Sequence, residues 1–282
     1  MITCPQVPAQ RICLILLALS LTQGLCSQTP PDSSSESSPS SESSVDESVA
    51  KESSPQLRMR PATWKQLVPN IAKDQKHIWT FPFRIGQGNN WAPALGVSAL
   101  TVGLVAADPY TAPYFRGTTS FHRFNSIVNT NVSAISSVIA PIGFYVAGMI
   151  RKDSYAKETA LLAAEAIANA QILSLVMHTA DRRVRPRNLP LDSNYRDTWF
   201  QNKVSLVRGS GSFPSGHSLT AFAVATVISR RYPQHRWVPY VVYGVASIVS
   251  FSRITASDHF TSDVFFGAAA GYSISRFSVL QR

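Results

Sequence analysis

The sequence predicts an all-α protein, a helical bundle of about six core helices with the active site at one end. Three observations lead there. From residue 91 onward, apolar Ala-rich stretches alternate with polar, Arg-rich joints. The period-two alternation and hairpin turns of β-strands are largely missing. The histidines and arginines with chemical potential sit at the joints, where helices end and begin.

The chain starts with appendages. Residues 1–26 carry one basic residue, Arg11, then the apolar run from Ile12 to Leu21 and a small polar tail, which reads as a secretory signal peptide. The run is half the ~20 apolar residues that a retained anchor needs. All three cysteines, Cys4, Cys13 and Cys26, lie in or at the edge of this leader, so disulfides and cysteine-ligated metals are not expected in the mature chain. Residues 27–58 are rich in Ser, Pro and acidic residues and have almost nothing to bury, which predicts a disordered tether. Residues 59–282 then form the catalytic domain. Export to a bacterial periplasm or cell envelope follows from the leader.

The whole chain carries a formal charge of +10, but the tether is acidic, so the part from residue 56 carries +14. Such a domain suits an anionic substrate or an anionic membrane surface. No nucleic-acid motif is present, and no nucleic-acid partner is expected.

Helices are expected over 91–107, 126–149, 157–178, 215–230, 237–251 and 260–277. The third contains Glu158, Glu165, Asn169 and Gln171, and the fourth spans only about 24 Å at 1.5 Å per residue. Both features favour a water-soluble or peripherally bound domain over an integral one, although Trp91 to Ala107 is apolar apart from Ser98 and Thr101.

Three segments combine cations, histidines and helix starts: Arg182-Arg183-Val184-Arg185-Pro186, Gly211-Ser212-Phe213-Pro214-Ser215-Gly216-His217, and Ser252-Arg253 with His259 and Asp263 downstream. In an up-and-down bundle all three meet at one end. Pro214-Ser215-Gly216 is suited to open a helix whose free amides bind an anion, while Arg185 and Arg253 offer planar, permanent charges that match phosphate oxygens. His259 and Asp263 are four apart and share a face if a helix starts near Ser257. Asp263 would then hold one ring nitrogen and leave the other free to attack phosphorus. His217, across the site, would serve as general acid and then as base. Taken singly, each piece is more often a turn, a solvated loop or a surface pair; the conjunction points to phosphoryl transfer without a metal ion or other cofactor.

These residues resemble the superfamily of type 2 phosphatidic acid phosphatases, bacterial class A acid phosphatases and vanadium haloperoxidases. Its signature is Lys-x6-Arg-Pro, then Pro-Ser-Gly-His, then Ser-Arg-x5-His-x3-Asp, and the second and third motifs are complete here. The resemblance covers roughly residues 90–280. It implies an all-α core, a nucleophile at His259 supported by Asp263, an acid at His217, and phosphate ligands at Arg185, Ser215, Gly216 and Arg253. The position of the family's Lys is occupied by His178, whose charge is not fixed near neutral pH. Arg182 or Arg183 is an alternative source of that charge.

The expected substrate is a phosphorylated small molecule or a lipid phosphate. Tyr195, Trp199 and Phe200, in the loop between the first two motifs, either meet an apolar tail or pack the loop down. Glu165 either pairs with a motif arginine or makes a simple polar contact. Two other functions share these residues: a vanadate-dependent haloperoxidase, and a non-catalytic envelope protein that binds phospholipid or another anion. Binding alone would not need both histidines and the carboxylate.

Overall fold

The computed structural model describes residues 62–84, 91–128, 130–202 and 211–281; the expected leader and tether fall outside them. The architecture is all-α, with no strand among the described residues. Its helices are α1 (Trp64–Arg84), α2 (Trp91–Gly117), α3 (His122–Ile127), α4 (Thr130–Ile150), α5 (Ser154–Asp181), α6 (Gly216–Arg231), α7 (Val238–Thr255) and α8 (Thr261–Ile274). A 3-10 turn at Pro186–Asn188 follows α5, and a π-helical turn at Ser275–Val279 extends α8.

The centre of the bundle is α6, against which α5, α7 and α8 pack. Its Leu219, Ala223, Thr226 and Val227 are fully buried, which a helix built largely from Ala, Ser and Thr permits on every side. Small side chains also bond between helices. Ser218 donates to the Val264 carbonyl of α8 at 2.8 Å, and Ser250 of α7 donates to Ser218 at 2.9 Å. On α8, Gly267 and Gly271 form a Gly-x3-Gly pair facing α6. A Cβ at Gly267 would lie 2.7 Å from the Ser215 carbonyl, and one at Gly271 would collide with the Leu219 carbonyl. The two glycines thus set the distance between the helices that carry His217 and Asp263.

Helix ends follow local chemistry. Asp153 caps α5 by accepting from the Tyr155 and Ala156 amides, and Arg182, in the left-handed region at φ 47°, ends it. Two helices exceed expectation. The helix expected over 91–107 continues as α2 through Pro109 and Pro113 to Gly117. The other is α1, which carries Pro69 and Pro82 and is held from outside by α5. There Asn70 donates to Glu165 at 3.3 Å, and Asn169 donates to Asp74 at 2.9 Å.

These contacts revise the expectation of a soluble or peripheral domain. Glu165 and Asn169 are at most 1% exposed, so the polar groups that argued against membrane spans point inward. Outward the bundle is apolar: Leu95 and Val102 on α2, Ile139, Ile142 and Ile150 on α4, and Tyr240, Val241 and Ile248 on α7 are each at least half exposed. The stretches Trp91–Gly117, Ser154–Asn188 and Val238–Thr255 are long and apolar enough to cross a membrane. Exposure on this scale supports membrane association.

Candidate active site

The three segments meet at one end of the bundle, stitched by their backbones. Gly211 to Ser215 is the middle thread. The Ser212 amide donates to the Arg183 carbonyl at 2.9 Å, and the Ser215 amide donates to the Asp263 carbonyl at 3.0 Å. Arg185 Nε donates to the Gly211 carbonyl at 3.3 Å, and His178 Nε2 meets the Pro214 carbonyl at 2.8 Å. From the other side, Arg116 of α2 donates to the Pro186 carbonyl at 2.9 Å.

At the end of α7 the chain doubles back. Ser257 takes a left-handed φ of 55°, and the amides of Asp258 and His259 both return to the Arg253 carbonyl, at 3.0 and 3.2 Å. Arg253 and His259 are brought side by side this way. His259 is 3% exposed, and its Nδ1 lies 2.6 Å from the Ser212 carbonyl. A carbonyl only accepts, so Nδ1 carries the proton, and in the neutral ring Nε2 keeps its lone pair.

The expected helix face shared by His259 and Asp263 is not how they meet. Residue 259 precedes α8, whose N-cap is Phe260, and Asp263 turns back to accept the Phe260 amide at 2.9 Å. That capping turn leaves Asp263 Oδ2 3.8 Å from His259 Nδ1, an ion-pair distance, while the hydrogen bond goes to Ser212. The Ser212 hydroxyl joins the arrangement by donating to Asp263 at 2.5 Å. Burial alone would raise the Asp263 pKa, but Arg183, His259 and Ser212 outweigh it and hold the carboxyl below its usual range.

Of the two arginines considered for the missing Lys, Arg183 is committed elsewhere. It is 1% exposed, with ion pairs to Asp263 at 2.5 Å and to Asp108 at 2.7 Å, and it stacks between the rings of Trp199 and Phe260. Arg182 serves as the cap residue of α5. His178 occupies the family's Lys position and braces the backbone just before α6.

Ser215 is the N-cap of α6; its Oγ accepts from the Ser218 amide at 3.4 Å, and Gly216 and His217 open the helix. His217 is half-buried beside Arg253, His259 and Arg185; burial first, then the charges of Arg253 and His259, push its pKa down to about 4. Arg253 is fully buried and pairs with Asp258 at 3.2 Å, and Asp258 also holds Arg187.

Sequence reasoning gave Asp108, Asp258 and Ser212 no role. The signal for Asp108 was a lone charge closing a long apolar run; that for Ser212 did not exist, since its main contribution is a backbone carbonyl. Tyr195 is buried against Ala112 and Phe260, and Trp199 packs on Phe213 and Arg183, so these two hold the loop down. Phe200 is 63% exposed. Glu165 meets Asn70 of α1 rather than a motif arginine as its hydrogen-bond partner.

A helical bundle that gathers two histidines, two arginines and a helix start at one end defines an anion site with a histidine at its base. The model of the PAP2 superfamily matches residues 159–282, so over this segment the chain is similar to that superfamily. A lipid A 1-phosphatase from Porphyromonas gingivalis is 44% identical over 63 residues, which are 22% of this chain and 14% of that protein. The matched part is thus a small fraction of that relative's length. A crystal structure of a transmembrane PAP2 type phosphatidylglycerolphosphate phosphatase from Bacillus subtilis aligns with a TM-score of 0.44 and 20% identity, over 64% of this chain and 91% of that one.

Proposed function

We propose that the protein is a membrane-associated phosphatase that hydrolyses phosphate mono- or diphosphate esters of lipids, through a phosphohistidine formed on His259. One observation carries the reading. The contact of Nδ1 with the Ser212 carbonyl fixes the tautomer of His259 and leaves Nε2 as the free nucleophile beside Arg185, Arg253 and His217.

In the first step Nε2 bonds to phosphorus as the ester P–O bond breaks, and His217 gives its proton to the departing oxygen. In the second, neutral His217 takes a proton from water, which attacks phosphorus and releases His259. Arg185, Arg253, the Ser215 hydroxyl and the amides of Gly216 and His217 hold the equatorial oxygens as charge shifts. His178 acts on this cradle through Pro214. The positive charge comes from side chains, so no metal ion enters a step.

The apolar exterior supports a lipid substrate, since a substrate anchored in the bilayer can present its headgroup to the end of the bundle. Similarity to a lipid A 1-phosphatase points the same way. Phosphate release from a panel of lipid phosphates and soluble esters tests the proposal. Activity on lipid phosphates that survives a chelator and is inhibited by vanadate is expected. Activity lost to a chelator and restored by zinc or magnesium would contradict it.

A further inference from the structure

Arg183 and Arg253 are the two largest fully buried side chains among the described residues, and Arg183 sits beside the site without reaching the cradle. Behind it, on α2, lies Asp108, which has no exposed surface. We propose that Asp108 is a positioning residue for the nucleophile, acting on His259 through Arg183, Ser262 and Asp263. The inference rests on the phosphatase reading above and extends its site to a helix that carries none of the motifs.

Asp108 is fully engaged. Its Oδ2 accepts from Arg183 Nη2 at 2.7 Å and from the Ser262 hydroxyl at 2.5 Å, and its Oδ1 accepts from the Ser262 amide at 3.2 Å. Arg183 passes the contact on. Its Nη1 donates to Asp263 Oδ1 at 2.5 Å and to the Ser262 hydroxyl at 2.8 Å, and its Nε donates to Thr198 at 3.2 Å. Asp263 in turn faces His259 and holds Ser212, whose carbonyl fixes Nδ1. Every side chain from Asp108 to His259 is 3% exposed or less, so water cannot substitute for a lost member.

The charges give this chain a purpose beyond packing. Two buried carboxylates, Asp108 and Asp263, share the single guanidinium of Arg183. Negative charge therefore exceeds positive while His259 is neutral. The imbalance is relieved when Nε2 bonds to phosphorus and the ring becomes cationic. With Asp108 neutralised, Arg183 would act undivided on Asp263 and weaken its support of that cation. The effect belongs to the chemical step, because neither Asp108 nor Arg183 touches the substrate.

The test uses the full chain in detergent micelles, with Asp108→Asn and Asp108→Glu compared on short-chain phosphatidate. For a folded Asp108→Asn protein the expected result is a fall in kcat of about tenfold or more, with KM changed less than about twofold and partial recovery in Asp108→Glu. An unchanged kcat, or a loss confined to KM, overturns the proposal. If Asp108→Asn does not fold, Ser262→Ala keeps all charges and removes only the bridging hydroxyl; a kcat-only loss of about threefold is expected, and none overturns it. A second readout needs no turnover. In protein with isotope-labelled histidine, the Nδ1 proton resonance of His259, identified by its loss in His259→Gln, should shift in Asp108→Asn or Ser262→Ala. An unmoved resonance refutes the coupling, whereas a shift in the variants of a protein whose wild type lacks phosphatase activity refutes only the phosphatase reading.

Discussion

Burial and the neighbouring cations lower the His217 pKa to about 4, so in the empty site its ring is neutral near pH 7. A bound dianion offsets those cations and raises this pKa, so binding takes up a proton at any pH between about 4 and the new value. Calorimetry of sulfate binding at pH 6, repeated in buffers of different ionisation enthalpy, should record proton uptake that His217→Ala abolishes; release or no exchange would contradict the role of His217 as an acid charged by its substrate. His178 allows a second residue-scale test. Its Nε2 contacts the Pro214 carbonyl, which a Lys ammonium could also reach while adding a fixed charge. Because the buried imidazole is neutral from pH 5 to pH 9, His178→Lys should tighten vanadate inhibition several-fold throughout that range; unchanged inhibition constants would mean that this position does not influence the anion. At this scale the sequence disclosed residue types and spacing but not connections. The interval from His259 to Asp263 proved to be a capping turn, and the atom that fixes the imidazole belongs to a backbone that no side-chain pattern encodes.

The helices were the most legible level, because their apolar runs are separated by polar joints. Each of the six expected between 91 and 277 has a counterpart, and α6 and α7 begin within one residue of expectation. Reading stopped short at α1 and at the end of α2, and both helices contain proline. It disfavours helix locally, yet α1 and α2 carry two each and persist because tertiary contacts outweigh the local penalty. The contact between α6 and α8 is where an element controls the site, since its glycines set the spacing of the two helices. Gly271→Ala would drive a Cβ into the Leu219 carbonyl, so α8 must move. A destabilisation of about 1–3 kcal/mol is expected, seen as a lower Tm, with activity falling as Asp263 leaves its place. A variant with unchanged Tm and activity would show that the contact is loose.

Over the whole molecule, the surface decides where the protein works. The sequence held the needed apolar residues, but whether Glu165 and Asn169 faced lipid or the interior depended on α1, a helix with weak local signals, so the membrane question was not legible. With these groups inside and α2, α4 and α7 apolar outside, the protein should stay in the membrane fraction through an alkaline carbonate wash and need detergent for extraction. Release by carbonate alone would return it to the peripheral class. The central claim unites all three scales: a bundle held in the membrane presents one histidine, with one free nitrogen, to a phosphate ester. Rapid quenching of the enzyme with phosphate-labelled lipid substrate tests that most directly. The account predicts an acid-labile, base-stable phosphohistidine that forms within one turnover and is absent from His259→Ala. An acid-stable phosphoserine, or turnover with no covalent species, would contradict it.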